Sequence, residues 1–377
     1  MFLKAKNLIK KIYKAAIIIF FKTIYKTPTI KNHNSKSSEE IFKVKINKNN
    51  YKIYVIQNGA VFTDTNDTTA YITSENILSP ASMQYKKFDS INSKNQKISS
   101  NEVLRKGTPK FKKKVKGNVL SLLSGGASKD NFTHWFTDII PRIKIFESKF
   151  KLNNIDKFYV PSIKFKFQRE TLELLGIKKD KIISSEKYKH IVARKIFATS
   201  HPCFHKPTEV RKWSLIYLKS KFNNKKKVKK YEKIFIDRDQ FKYIDVNNLK
   251  NFSSYRVLLN EIEIKSYLSS LGFLIIKPEN FKFTEQIKIF NNAKFIVGLY
   301  GAAMMMLAFC KSNTRVVEIK PQKGGDEFKN ISNLNKLNHR QIILKPVIKS
   351  PIPQNGILMC PIDKIKKELN ILGLKKI

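Results

Sequence analysis

Arginine is scarce in this 377-residue chain. Nine Arg stand within a Lys+Arg total of 74, against 29 acidic residues, so the formal net charge of +45 is almost wholly lysine. Proteins that read nucleic acid concentrate Arg and aromatics on one element, because a guanidinium pairs bidentately with phosphate and guanine. Here the lysines run along the whole chain beside abundant Ile, Asn and Phe, as AT-rich coding bias would produce. The charge therefore does not call for a nucleic-acid partner; a polyanionic product or an anionic membrane surface is the better match. Cysteine is equally sparse: Cys203, Cys310 and Cys360 are odd in number and far apart. That spacing suggests no disulfide framework and fits a reducing compartment. There is no long apolar run. The N-terminal stretch Ala15 to Phe21 has seven residues, where a membrane span needs roughly 20. Lys22, Tyr25 and Lys26 follow it in place of the small residues of a signal-peptide cleavage site. What remains is a basic helix that suits either an anionic interface or an ordinary protein surface. No GxxxxGK[ST] loop and no GxGxxG after a first strand occurs, which argues against a P-loop hydrolase and a Rossmann dehydrogenase.

Hydrophobic residues make up 42%, enough for packed cores, and the length suits two domains. Residues 1–45 read as the basic helix followed by a polar linker (27–45), and residues 46–225 as a first α/β domain. Its expected elements are strands over 51–62, 158–162 and 196–200 and helices over 167–177 and 209–222. The run NNKKKVKKYEK (223–233) marks the boundary to a second domain, 226–377. There strands are expected at 233–238, 273–279, 294–300 and 314–321. Helices are expected at 260–272, 283–293, 301–310 and 363–372. This alternation predicts a parallel sheet.

Several residues are placed for chemistry. GLYGAA (298–303) stands where a strand turns into a helix, so amides near Gly301 and Ala302 face the crevice at the strand ends. Glu318, near the end of the next strand, could accept from ribose hydroxyls. Arg238 follows a strand and could bind a diphosphate bidentately, with Arg256 as a second candidate. Asp237-Arg238-Asp239 is also a D-x-D of the kind that holds a divalent ion. In the first half, His134 and Asp138 lie four apart and share one helix face, where either could deprotonate a hydroxyl. HPCFH (201–205) has ligand types at close spacing with no fourth ligand nearby, and a Pro-containing strand exit explains it as well. LSGGA (123–127) stands without a P-loop.

The order of these pieces resembles glycosyltransferase family 61, which includes proteins of capsular polysaccharide biosynthesis. GGASKDNFTHWFTDIIPRI (125–143) is similar to the family's N-x-x-H-W-x-x-D-x-x-P-R segment. IFIDR (234–238), Arg256 with Asn260-Glu261, LGF (271–273), EQI (285–287), NAKFIVGLYGAA (292–303) and TRVVEIKP (314–321) follow in order. The chain departs from the family at Tyr300, where His is usual, and at Asp237, where Ser is common. Tyr donates a hydrogen bond but carries no positive charge.

The resemblance implies a GT-B architecture of two facing Rossmann-like domains with parallel sheets, and an inverting, metal-independent transfer needing no cofactor beyond a nucleotide-diphosphate sugar donor. It places His134 and Asp138 as catalytic candidates, the choice of base open between them. Arg238, Arg256, Glu285, Tyr300, Gly301, Ala302 and Glu318 fall on the donor side, and Asn131, Trp135 and Arg142 on the acceptor side. The expected partners are the nucleotide sugar, a polysaccharide or lipid-linked glycan acceptor and an anionic membrane surface, on the cytoplasmic face. Two readings compete: a basic polyanion-binding module, and a degenerate transferase that binds donor without turnover.

Overall fold

The computed structural model describes residues 2–31, 38–84, 98–124, 129–203, 209–222, 231–238 and 256–374. Gly125, Gly126, His205, Asp239 and the lysine run 223–230 lie outside the described residues. The chain divides into two compact units, Met1–Lys206 and Pro207–Ile377.

The first unit opens with a helix, α1 (Phe2–Ile24). Its C-terminal end is seated by Phe21, which packs edge-on against Phe111 at 4.9 Å. The strands that follow are β1 (Glu39–Ile46), β2 (Asn49–Gln57), β3 (Ala60–Thr63), β4 (Thr68–Ile72), β5 (Met83–Gln84), β6 (Lys113–Ser121), β7 (Lys157–Val160), β8 (Ile182–Ser184) and β9 (His190–Thr199). They form one sheet in the order β5-β4-β3-β9-β6-β7-β8, with β2 on β9 and β1 on β2. β9 runs parallel to β6 on one side and antiparallel to β2 and β3 on the other.

The parallel sheet expected here is thus mixed, with five antiparallel and three parallel pairings among the described residues, and the turn chemistry of residues 47–67 explains the antiparallel part. Asn47 takes a positive φ of 53° in the turn between β1 and β2, as Asn tolerates better than most residues; Asn58, at 46°, instead interrupts the edge along which β2 and β3 both pair with β9. Asp64 Oδ1 accepts from the amides of Asn66, Asp67 and Thr68 at 2.8–3.0 Å. Turns this short join only antiparallel neighbours, whereas parallel ones need a long crossover. Residues 39–45, expected in a linker, instead pair along β2 as β1. The core beneath includes Tyr54, Ile56, Val119, Tyr159 and Ile196.

In the second unit β10 (Lys233–Ile236), β12 (Leu274–Ile276), β13 (Phe295–Leu299), β14 (Arg315–Pro321) and β15 (Asn338–Leu344) form a wholly parallel sheet in the order β12-β10-β13-β14-β15. A small sheet of β11 (Arg256–Leu258), β16 (Ile348–Lys349) and β17 (Gly356–Leu358) stands beside it. Ile264 and Leu268 from helix Glu261–Ser270, with Ile365 and Leu369 from helix Ile362–Ile371, pack with Phe235, Val297, Val317 and Ile342 of the sheet. Helix Lys212–Phe222 also belongs to this unit. Phe222 stacks edge-on with Phe283 at 5.4 Å, and Lys219 Nζ donates to the Cys310 carbonyl at 3.1 Å. The boundary therefore precedes that helix instead of following it. The segment 302–309, expected as an α-helix, is a 3-10 helix, Ala302–Phe309.

Candidate active site

Leaving aside β11 in its small separate sheet, the second unit's strand order puts the first strand between the second and the third. Connections therefore leave β10 and β13 toward opposite faces, and a crevice opens outside their C-terminal ends, where ligands settle in such sheets. β10 ends at Asp237-Arg238 and β13 at Tyr300-Gly301. Arg238 Nη1 donates to the Tyr300 carbonyl at 3.1 Å. Arg256 Nη1 donates to the same oxygen, while its Nε donates to the Gln354 carbonyl at 2.6 Å and its Nη2 to Asn355 Oδ1 at 3.1 Å. The Arg256 guanidinium also lies 4.3 Å over the Tyr300 ring.

Two guanidiniums on one carbonyl repel each other. Burial, and then the like charge of Arg238, push Arg256 down to about 10. Burial also lowers Arg238, against the pull of Glu261 and Glu279. Both remain cationic at neutral pH, so an anion nearby would relieve the repulsion. The first amides of the 3-10 helix at Ala302, which have no partner within the helix, begin one residue further on.

In the first unit the chemistry gathers around Asp138. Asn131 caps the helix start, accepting from the amides of Thr133 at 2.9 Å and His134 at 3.3 Å. Trp135–Ile139 then forms a π-helical turn, closed by Ile140 N donating to the Trp135 carbonyl. Such widened turns gather at functional sites. Asp138 is fully buried. Its Oδ1 accepts from the Thr137 hydroxyl at 2.7 Å, and its Oδ2 lies 2.8 Å from His134 Nδ1 and 3.4 Å from His201 Nε2. Burial would raise this carboxyl, but His201 and His134 outweigh it and hold Asp138 well below the usual carboxylate range. Burial pushes the His201 imidazole down, against the pull of Asp138. Its Nδ1 accepts from the Cys203 amide at 3.1 Å. A proton on that nitrogen would meet an N–H donor, so the ring keeps its proton on Nε2, toward Asp138.

The His134 side chain is 22% exposed and that of Asp138 2%. The arrangement is an imidazole at the surface with its inner nitrogen on a buried carboxylate, the geometry of an oriented general base.

A comparison against family profiles matches residues 132–317 to Glycosyltransferase 61. The matched span begins at the His134–Asp138 helix and runs through the arginine pair to β14. The match supports a family 61 glycosyltransferase assignment. No curated protein matches it at a significant level.

The residues singled out by their family 61 motifs divide by position. His134 and Asp138 are brought together, and so are Arg238, Arg256, Tyr300, Gly301 and Ala302. Others sit elsewhere. Trp135 is fully buried, its Nε1 donating to Thr171 Oγ1 at 2.9 Å, and offers no surface to an acceptor. Arg142 is likewise core, donating to the Asp138 and Thr199 carbonyls at 2.8 and 2.7 Å. Both hold the helix that carries the dyad. Glu285 is an exposed cap, accepting from Lys282 N at 2.8 Å. Glu318 is buried in mid-strand, its Oε2 accepting from Gln341 Nε2 at 2.8 Å and lying 3.2 Å from His339 Nε2. Asp237 is ion-paired with Lys265 at 2.9 Å, which engages one half of the D-x-D in a protein contact.

Sequence reasoning missed His201, set aside within HPCFH. The signal available was its place at the exit of β9, a strand that pairs with β6 just ahead of the motif helix. It also missed Glu327, to which the Tyr300 hydroxyl donates.

Proposed function

We propose that this chain acts as a family 61 glycosyltransferase and transfers a sugar from a nucleotide-diphosphate donor to a hydroxyl of a surface polysaccharide or glycolipid, with inversion at the anomeric carbon. The observation that carries the reading is the convergence of Arg238 and Arg256 on the Tyr300 carbonyl at the β10/β13 crevice. A departing nucleoside diphosphate gains negative charge as its bond to the sugar breaks. Preorganised guanidiniums and amides meet that charge without reorganising. Arg256 is tied to three acceptors and stacked on Tyr300, so it supports; Arg238, half-buried, is the arm that meets the diphosphate.

The first unit supplies the base. The acceptor hydroxyl oxygen attacks the anomeric carbon, the bond from that carbon to the diphosphate oxygen breaks, and the hydroxyl proton passes to His134. Asp138 orients the ring and stabilises the imidazolium that results. The tautomer is set by the hydrogen bond: Nδ1–H faces Asp138, which leaves Nε2 as the accepting nitrogen. A GT-B arrangement and independence of divalent metal belong to the same reading, because the arginine pair supplies the charge that a metal would otherwise supply.

Calorimetric titration with UDP, GDP and CMP at physiological salt, with EDTA present, tests this. One nucleotide is expected to bind selectively in EDTA. Binding that requires Mn²⁺ would shift the diphosphate to Asp237 and Asp239. Binding to none of the three, with strong salt-dependent binding to polyanions, would replace the transferase by a polyanion-binding module.

A further inference from the structure

α1 has two faces in different surroundings. Toward the body of the first unit, Phe21 is buried and Ile17 and Ile18 are half-buried, lining a cavity with Phe62 and Val103. Tyr25, just past the helix, meets His190 edge-on at 5.8 Å. On the outward face Leu8, Ile12 and Ile19 form one row and Ile9, Tyr13 and Phe20 the next, with Ala16 between. The six large residues are 51–67% exposed. Offsets of four, seven and eleven residues keep each row on one side of a helix. A second element extends this face: Phe111 is 69% exposed and stacks edge-on with Phe20 at 6.4 Å.

The charge around the patch has one sign. α1 contains no Asp or Glu, and Lys6, Lys10, Lys11 and Lys22 border the apolar rows. Lys110, Lys112, Lys113 and Lys114 stand around Phe111. No helix among the described residues is long and apolar enough to cross a membrane. An apolar strip walled by cations, on a helix held from behind, has the chemistry of a helix lying in a lipid headgroup layer. Two copies joined through this face would bring like-charged lysine borders together.

We propose that α1 and Phe111 form an in-plane docking surface for an anionic lipid bilayer, with Leu8, Ile9, Ile12, Tyr13, Ile19 and Phe20 entering the acyl boundary. The inference does not depend on the transferase reading, because α1 and Phe111 contribute no residue to either cluster of the candidate site.

The test is vesicle flotation of the full chain at about 150 mM salt, with phosphatidylcholine vesicles alone or with about 30% phosphatidylglycerol. Binding at least about tenfold tighter to the anionic vesicles is expected. The double variant Ile12→Glu/Ile19→Glu is expected to lose at least about tenfold of it, with an unchanged thermal midpoint because both side chains are exposed. Lys6→Gln/Lys10→Gln/Lys11→Gln, which leaves the apolar rows intact, is expected to lose the preference for anionic lipid. Equal or absent binding of the wild-type chain to the two vesicle types overturns the proposal. So does undiminished binding of the glutamate variant. A wild-type dimer in sedimentation velocity that the glutamate variant dissociates would assign the face to a second copy, and that too overturns it.

Discussion

A side chain at Gly301 would collide with Arg238: a Cβ there would stand 2.7 Å from the Arg238 Nη1 and 2.8 Å from its Cζ. The glycine is required by an arginine of its own chain. Its backbone is extended, so the requirement is one of space and not of backbone conformation. Gly301→Ala should therefore displace Arg238 and weaken nucleotide-diphosphate binding by about 1–2 kcal/mol, with little change in folding stability. Arg238→Ala should cost about 2–4 kcal/mol of the same affinity. Calorimetry on both variants checks this. Unchanged affinity in Arg238→Ala would remove that residue from the site.

Tyr300 stands where family 61 usually has His, and its hydroxyl is engaged within the protein. It donates to Glu327 and accepts from Gly325 N at 3.1 Å. Burial and Glu327 raise its pKa, so the phenol stays neutral. The feature that gathers the two arginines is its main-chain carbonyl, which any residue supplies. Tyr300→Phe should thus lose about 1 kcal/mol of stability with the hydroxyl's bonds. Nucleotide affinity should stay within about twofold. A loss beyond about tenfold would mean that the phenol itself touches donor.

The dyad makes a separable prediction. His134→Ala should lower the transfer rate by about 10²–10⁴-fold, the contribution of a positioned base. Asp138→Asn keeps the shape but removes the charge that stabilises the imidazolium, and should lower the rate in the same direction. Neither should alter donor affinity, because the arginine pair belongs to the other unit. Single-turnover rates beside calorimetry separate the two effects. Full transfer by both variants would show that the base lies elsewhere.

The sequence carried some of this plainly and hid the rest for physical reasons. The parallel sheet of the second unit was legible because helical spacing at Ile264, Leu268 and Leu271 alternates with short apolar runs. The antiparallel part of the first unit's sheet was not, although Asn47 is a turn residue. Read alone, a polar segment before Tyr51 looks like a linker until its partner strand is known. Among site residues, Arg238 stood out because arginine is rare here. Trp135 and Arg142 share a motif with His134, yet a helix turns successive residues to different faces, and these two turn inward. His201 could not be found by local pattern. It reaches Asp138 only through the pairing of β9 with β6, a contact across 63 positions (201 − 138) of chain.

Acid should destabilise the first unit through His190, whose ring lies between Tyr25 at 5.8 Å and Phe62 at 5.7 Å. Its Nδ1–H donates to the Lys110 carbonyl at 3.0 Å, and its buried Nε2 has no hydrogen-bond partner among the described residues. A second proton would therefore be buried without an acceptor. Burial pushes this imidazole down to about 4; the Lys110 carbonyl opposes the shift and Lys112 adds to it. An unfolded histidine titrates near pH 6.5. Between those values the unfolded chain binds a proton that the folded chain refuses, so stability rises with pH across the window and falls as pH drops from about 6.5 toward 4. The loss from this one group is about 3 kcal/mol. His201, also held low by burial, adds in the same direction, whereas Asp138 acts only in stronger acid, as pH falls through its depressed value. His190→Phe isolates the effect. It should be less stable than the wild type by about 1 kcal/mol near pH 7.5, having lost the bond to Lys110. Near pH 4.5 it should be the more stable of the two, because the penalty for the buried proton is gone. Urea denaturation at both pH values measures the crossing, and parallel pH curves for the two proteins would mean that His190 is protonated in the fold without cost.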